Sequence, residues 1–453
     1  MPFTTLGLHQ DLLQGVRELG FLRPTPIQAD SIPPAMEGRD VLACAQTGSG
    51  KTAAFLLPIL HALMPKPRGT TRALVLAPTR ELAAQIHQDL IDLAVHTPIT
   101  GAPVFGGVGM GPQEHAFRSG VDVIIATPGR LLDHLRAPYA KLSRLEFLVL
   151  DEADRMLDMG FLPDIRRILR HIPAKRQTLF FSATMPAPIG ALATEMLKNP
   201  VMIQRERQAA PASGITQAVY PVSQALKPSL LLMLLQRGDV AQALVFTRTK
   251  HRANRLAEHL VKAGIRAERI HGNRSQAQRT AALEGFKAGR FPVLVATDIA
   301  ARGIDVEALG HVVNFDVPLV PDDYIHRVGR TGRADAVGEA FTMASPEEEG
   351  NLRDIERAIG RRLPRVTVPD FDYNARPQAK LEIPLAQRIA EIRARKRDER
   401  GRAATNAARR SAQQRGQSVP SGPRPAGPPG TRPAGRGSGR PSSRGRPRGR
   451  GSR

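Results

Sequence analysis

Two runs in this chain could do chemistry together. The first is Ala45-Gln46-Thr47-Gly48-Ser49-Gly50-Lys51-Thr52, and about a hundred residues later the second, Asp151-Glu152-Ala153-Asp154, ends an apolar stretch. Gly48 and Gly50 allow successive backbone N–H groups to turn toward an anion without a Cβ clash. A helix starting at the end of the run adds the partial positive charge of its N-terminus. Lys51 supplies a mobile charge for β- and γ-phosphates, and the Thr52 hydroxyl is placed to ligate Mg²⁺. Ala45 stands where the usual phosphate loop has its first Gly, so the loop needs a partner before it can be read as one. The acidic tetrad is that partner. Hydrolysis of a phosphoanhydride requires a metal held near the β/γ oxygens and a base that orients water in line. Asp151, first after the apolar stretch, would hold the metal through its water shell, and Glu152 would polarise the attacking water.

These residues need strands that end beside one another. Asp40 to Cys44 reads as a strand before the loop and Ala53 to Leu63 as a helix after it. The theme repeats. Ala73 to Ala77 precedes Pro78-Thr79-Arg80-Glu81, Val121 to Ala126 precedes Thr127-Pro128-Gly129-Arg130, Phe147 to Leu150 precedes the tetrad, and Thr178 to Phe181 precedes Ser182-Ala183-Thr184. Near-continuous apolar strands separated by helices imply a parallel sheet covered on both faces, with ligands beyond the carboxyl ends of the strands. A polar break at 204–214 reads as a linker. Afterwards the theme restarts with Ala243 to Phe246, Val293 to Ala296 and His311 to Phe315, but without a second phosphate loop. The expected organisation is a first domain over 1–205, a linker over 206–214, a second domain over 215–370, a basic extension over 371–400 and a disordered tail over 401–453. The fold class is α/β, two tandem domains each built on a mostly parallel sheet.

Composition narrows the partners. At 453 residues the chain is long enough for about two to three domains. One cysteine, Cys44, excludes a disulfide framework or a zinc cluster, and a reducing, cytoplasmic location is expected. No Lys or Arg precedes Arg17, so a secretory leader is not expected, and no apolar run approaches the ~20 residues that cross a bilayer. The formal charge of +23 points to a polyanion. Residues 375–453 hold 21 Lys and Arg against 4 Asp and Glu and contain no aromatic residue, so +17 of that charge falls there and +6 on residues 1–374. Such a tail cannot bury enough apolar surface to offset its ordering entropy. It reads as a non-specific RNA tether, with a solubilising linker as the alternative.

The order of motifs along residues 3 to 370 resembles that of the DEAD-box RNA helicases of superfamily 2, and the tail and second-domain ending are similar to the bacterial RhlE-type branch. Gly20-Phe21-Leu22-Arg23-Pro24-Thr25-Pro26-Ile27-Gln28 matches the family's adenine-reading motif, with Phe3 as its isolated upstream aromatic. The resemblance implies two RecA-like domains with ATP and Mg²⁺ between them. Phe21 would stack on the adenine, Gln28 would read its edge, and Ala45 through Thr52 would hold the phosphates. Asp305 would contact the ribose. Ser182 and Thr184 would couple the nucleotide to RNA through Asp154. Pro78, Thr79, Arg80, Gly107, Thr127 and Arg130 match the first-domain RNA-backbone motifs, and Arg248, Gln276, Arg279 and Thr297 those of the second. These residue types suit phosphate and sugar and lack a set that could read bases, so RNA binding is expected to be sequence-independent.

In His326-Arg327-Val328-Gly329-Arg330-Thr331-Gly332-Arg333 the resemblance implies a coupling role for His326 and arginine fingers at Arg330 and Arg333, reaching across a cleft to a phosphate site without an arginine of its own. The expected activity is RNA-stimulated ATP hydrolysis coupled to local unwinding of RNA duplexes, with ribosome assembly or RNA turnover as the process suggested by the branch. An ATP-gated RNA clamp and a DNA translocase stay open as alternatives.

Overall fold

Thirteen strands, all paired in parallel, form two sheets among the described residues. The computed structural model describes residues 2–45, 48–204, 214–301, 309–331 and 338–375, all of which fall in one compact unit, Met1–Glu382. The first sheet contains β1 (Val41–Cys44), β2 (Ala73–Leu76), β3 (Gly101–Val104), β4 (Val123–Ala126), β5 (Phe147–Leu150), β6 (Gln177–Ser182) and β7 (Val201–Gln204). Their spatial order is β3-β4-β2-β5-β6-β1-β7. The second contains β8 (Ile215–Pro221), β9 (Ala243–Phe246), β10 (Ala267–Ile270), β11 (Val293–Ala296), β12 (His311–Asn314) and β13 (Gly338–Ala344), in the order β10-β11-β9-β12-β13-β8.

Both faces of each sheet are dry. Val41, Ala43, Val75, Val123, Val149 and Phe181 pack on the helices Gln10–Glu18, Pro26–Met36, Lys51–Leu63 and Arg80–Leu93. The alternate residues Leu42, Leu74, Ile124, Leu148 and Phe180 pack on the opposite face against helices that include Pro128–Leu135, Leu162–Leu169 and Ala187–Met196. Burial on two sides explains why the central strands carry consecutive apolar residues rather than one at every second position. Each such Val, Leu, Ile or Phe side chain contributes about 1.5–3 kcal/mol relative to exposure. The second sheet follows the same rule, with Leu244, Leu294 and Val312 on one face and Val245, Val295 and Val313 on the other.

The strands without a sequence expectation include the four at sheet edges. β3 carries Pro103 and begins at Gly101, β10 is interrupted by Glu268 and Arg269, and β7 and β8 flank the polar break. An edge strand buries less and tolerates proline and charge, so it lacks the apolar run that marks a central strand. The edge of β8 is itself covered: Val219 donates to Pro364 O at 2.8 Å and accepts from Val366 N at 2.8 Å. Phe371 and Tyr373, within the stretch expected as a basic extension, pack on the second core, and the Tyr373 hydroxyl accepts from Val368 N at 2.9 Å. Of the expected linker only Gly214 lies among the described residues. No described helix is long and apolar enough to cross a membrane.

Strand order positions the chemistry. Across the carboxyl edge of the first sheet, β3 leads to Gly106–Gly107, β4 to Thr127–Arg130 and β2 to Thr79–Arg80; next come β5 with Asp151–Asp154, β6 with Ser182–Thr184 and β1 with the phosphate loop. The expected RNA residues therefore occupy one half of the edge and the expected ATP residues the other. Ser182, at the end of β6, lies between the two ATP-side loops.

Candidate active site

A cavity of about 410 Å³ collects the ATP-side residues. Phe21, Gln28, Gly48, Gly50, Lys51, Thr52, Asp151 and Glu152 line it, and so does Arg330 from the second lobe. Lys51 is buried, and its Nζ donates to Ala45 O at 3.2 Å and stands 4.0 Å from Asp151 Oδ1. That carboxylate oxygen is buried and has no hydrogen-bond partner among the described residues. Burial pushes the Asp151 carboxyl up to about 6, with Lys51 opposing the rise and Glu152 adding to it. A buried carboxylate oxygen with no hydrogen-bond partner among the described residues, with only the ion pair to Lys51, has the chemistry of a cation site.

Glu152 has φ 53° and ψ 53°, the left-handed region that a side-chain-bearing residue rarely enters. The kink lies between the end of β5 and the helix Ala153–Asp158. Burial favours protonation of Glu152, but Arg155, Lys51 and Arg330 together hold its carboxyl below the usual range. Arg155 Nη1 donates to Glu152 Oε2, and both residues are buried. Sequence alone gave Arg155 no role, although its place three residues after Glu152, in the first turn of the helix that Glu152 precedes, was a usable signal.

Gln28 is 4% exposed and splits its amide. Its Oε1 accepts from Thr25 N at 2.9 Å, capping its own helix, and its Nε2 donates to Gly50 O at 3.0 Å. The residue expected to read adenine is thus also a brace of the phosphate loop. Gly50 has φ 89°, and a Cβ there would lie 2.5 Å from Gln28 Nε2. A Gly50→Ala protein is expected to show at least a tenfold higher KM for ATP, because left-handed strain of about 1–2 kcal/mol adds to the displaced Gln28. A steady-state ATP titration at saturating RNA checks this. Phe21 is 42% exposed at the rim of the cavity, whereas Phe3 is buried in the core. Ala45 N donates to Ser182 O at 3.0 Å. Ser49 and Thr52 are half-buried, and Gln46 and Thr47 lie outside the described residues.

Asp154 faces away from the cavity toward β6. Its Oδ2 accepts from Thr184 N at 2.7 Å and from Thr184 Oγ1 at 2.9 Å. Ser182 Oγ accepts from Asp154 N at 3.2 Å and donates to Thr184 O at 2.7 Å. The acidic tetrad and the Ser-Ala-Thr turn are therefore one hydrogen-bonded unit.

On the RNA half of the edge, Thr79 caps the helix Arg80–Leu93 by accepting from Leu82 N at 3.2 Å, and Pro78 is buried beside it. The Arg80 guanidinium lies over Gly107, where φ is 88° and a Cβ would fall 2.1 Å from Nη1. Thr127 is buried at the start of the helix Pro128–Leu135, and Arg130 Nη1 donates to Val108 O at 3.1 Å.

In the second lobe Arg248 Nη2 donates to Glu348 Oε1 at 2.8 Å and to Val317 O at 3.2 Å. Gln276 Nε2 donates to Glu81 Oε1 at 3.1 Å, and Arg279 Nη2 lies 2.7 Å from Glu81 Oε2. Glu81 follows Arg80 on the first lobe, so both second-lobe residues are engaged across the lobes. Thr297 is half-buried after β11. Arg327, also unassigned from sequence, fixes the basic segment: it forms a forked pair with Asp298 at 2.6 and 2.8 Å and donates to Asn314 Oδ1 at 3.0 Å. Its neighbour Arg330 is thereby held beside Glu152, and His326 lines a smaller cavity with Arg155 and Arg330. Arg333 and Asp305 lie outside the described residues.

Known proteins resemble the chain over both lobes. The DEAD/DEAH box helicase family matches residues 25–192 and the helicase conserved C-terminal domain matches residues 226–335. The DEAD-box ATP-dependent RNA helicase CshA of Geobacillus kaustophilus is 42% identical over 389 residues, 86% of this chain and 83% of that protein. CshA of Bacillus subtilis is 42% identical over 383 residues, 84% and 77% of the two chains. The structure of S. cerevisiae Dbp5 bound to RNA and ADP BeF3 superposes with a TM-score of 0.75 at 31% identity, covering 82% of this chain and 96% of that one. A Dbp5 variant bound to Gle1 and IP6 reaches 0.66 over the same coverage. The RhlE-type branch expected from the tail is not supported, since these bacterial relatives are of the CshA type, a different branch; an Arg- and Gly-rich tail is a compositional feature and does not specify ancestry. With two parallel-sheet RecA-like domains, the phosphate loop and acidic tetrad on one and the basic segment on the other, the chain belongs to the DEAD-box ATP-dependent RNA helicases.

Proposed function

We propose that this chain hydrolyses ATP at the cavity lined by Lys51, Asp151, Glu152 and Arg330, that RNA binding across both lobes favours the arrangement in which the four meet, and that the coupling remodels short RNA duplexes without regard to sequence. The observation that carries the reading is the composition of that cavity: lysine and carboxylates come from one lobe and the arginine from the other. Linkage then follows. Any ligand that holds the lobes together raises the fraction of molecules with a complete site, so RNA raises the rate of ATP turnover. The closer superposition on the RNA- and nucleotide-bound form of Dbp5 supports taking this lobe arrangement as the assembled one.

Asp151 and Thr52 would hold Mg²⁺, which when bound offsets charge on the β/γ oxygens. The orphaned Asp151 oxygen fits that role. Gln28 and Phe21 would orient the base, Lys51 would bind the phosphates, and Glu152, kept anionic by its three cationic neighbours, would accept a proton from the attacking water. Arg330 and, by the family pattern, Arg333 would stabilise the transferred phosphoryl group. Thr184 and Ser182 would pass the position of Asp154 to the RNA half of the edge. Arg80, Gly107, Thr127 and Arg130 there, with Arg248 and Thr297 opposite, offer guanidinium, hydroxyl and backbone groups that suit phosphate and sugar. The basic tail would tether RNA non-specifically.

ATP turnover stimulated by single-stranded RNA and by DNA of equal length and sequence tests the reading, beside displacement of a short duplex strand. RNA is expected to stimulate at least tenfold more than DNA, since the 2′-OH is the difference at the backbone. Equal stimulation would make the chain a DNA-competent translocase, and RNA-stimulated turnover without strand displacement would make it a clamp.

A further inference from the structure

Behind the RNA half of the first sheet's edge lies a buried polar chain that the reaction does not use. Gln113 Nε2 donates to Phe105 O at 3.1 Å and to Gly109 O at 3.1 Å, one on each side of Gly106–Gly107. His134 Nε2 is 3.3 Å from Gln113 Oε1, and His134 Nδ1 is 2.9 Å from the Tyr139 hydroxyl. His134 is 0% exposed, and Gln113 is buried.

The direction of every proton follows. Carbonyl oxygens only accept, so the Gln113 nitrogen faces Phe105 and Gly109 and its oxygen faces the histidine. An amide oxygen also only accepts, so Nε2 of His134 carries the hydrogen, and Nδ1 accepts from the Tyr139 O–H. Burial pushes the imidazole down and keeps it neutral, as this chain requires. The Phe117 ring packs against His134, with centroids 5.3 Å apart, and the Arg118 guanidinium covers the Tyr139 ring at 5.0 Å.

The chain ends on the loop that faces Arg80 and Arg130. Gly107 leaves room for the Arg80 guanidinium, and Arg130 donates to Val108 O at 3.1 Å. Three carbonyls of one five-residue loop are thus tied to the lobe, two by Gln113 and one by Arg130. His134 sits on the same helix as Arg130, so a single relay sets both the loop and the helix that carry first-lobe RNA groups.

We infer that Gln113, His134 and Tyr139 are positioning residues for RNA: a relay from Tyr139 through His134 and Gln113 holds the Phe105–Gly109 loop where Arg80 and Arg130 can share a phosphate backbone. None of the three touches RNA, and the inference rests on the proposed RNA role of this face. A network with every donor and acceptor matched fixes geometry more firmly than packing alone.

The test uses the full chain and a single-stranded RNA, reading ATP turnover against RNA concentration. Gln113→Met keeps side-chain length and removes all three of its hydrogen bonds, Tyr139→Phe removes only the hydroxyl, and Arg130→Ala reports on the RNA role itself. Half-saturating RNA is expected to rise about tenfold in Gln113→Met and about threefold in Tyr139→Phe, with turnover at saturating RNA and KM for ATP within about twofold. Loss of folded protein lowers turnover without moving half-saturation, so a merely structural role gives a different signature. If Gln113→Met does not fold, Tyr139→Phe decides alone, and an unmoved half-saturation overturns the inference. A rise in Arg130→Ala with none in Gln113→Met overturns the relay by itself; no rise in any variant overturns the RNA role of this face and the relay with it.

Discussion

Replacing Arg330 by Ala is expected to lower RNA-stimulated ATP turnover by about 10³-fold, the lower end of the 10³–10⁵ that an arginine finger contributes in related nucleotide hydrolases. Arg330 is buried where it lines the cavity with Lys51, Asp151 and Glu152, and its charge helps hold the Glu152 carboxyl ionised. Its removal takes away both a charge for the phosphoryl group and one of the cations that keep the base anionic. Arg330→Lys should recover little, because a point charge cannot reproduce a planar fork. ATP affinity should fall far less than turnover, since Lys51 and the loop remain. Turnover measured at saturating ATP and RNA checks this, and a variant within tenfold of the parent would remove Arg330 from the reaction. The fold of the second lobe should survive, because the buried anchor of the segment is the neighbouring Arg327 with its forked pair to Asp298.

A Glu152→Gln protein is expected to bind ATP and RNA within about threefold of the parent while hydrolysing ATP about 10²–10⁴-fold more slowly, the range a positioned general base supplies. The substitution keeps size and the strained backbone but removes the proton acceptor. It also leaves Arg155 without its carboxylate partner, so some loss of thermal stability should accompany the loss of rate: breaking a buried ion pair costs about 3–5 kcal/mol at most. Because ATP and RNA binding persist without hydrolysis, the variant should stay on RNA longer than the parent in an ATP-dependent release assay. Hydrolysis within tenfold of the parent would assign the proton to another acceptor.

Central strands were legible because burial on both faces demands an unbroken apolar run: β1, β2, β4, β5 and β6 each end at a polar turn that sequence order already marked. The site's local pieces were legible for a related reason. Glycine at a positive φ, lysine at a helix start and carboxylate at a strand end are each fixed by backbone geometry over a few residues. Edge strands were not legible, since Gly101-Ala102-Pro103-Val104 need satisfy only one neighbour.

Tertiary structure alone decided the partners. Nothing between Glu81 and Gln276 in the chain announces that Arg279 and Gln276 close on the carboxylate next to Arg80, nor that Gln28 braces Gly50 from a helix two elements away. The reason is physical. A backbone conformation is chosen by near neighbours along the chain, whereas a buried charge or amide is stable only against whichever group the packing of two sheets brings within about 3 Å. The sequence by itself determined the strand–loop–helix order, the phosphate loop, the acidic tetrad and the basic segment. Which second-lobe arginine meets which first-lobe carboxylate is settled only once the lobes have folded and met, and the relay from Tyr139 to the Gly106–Gly107 loop exists only once the first lobe has folded.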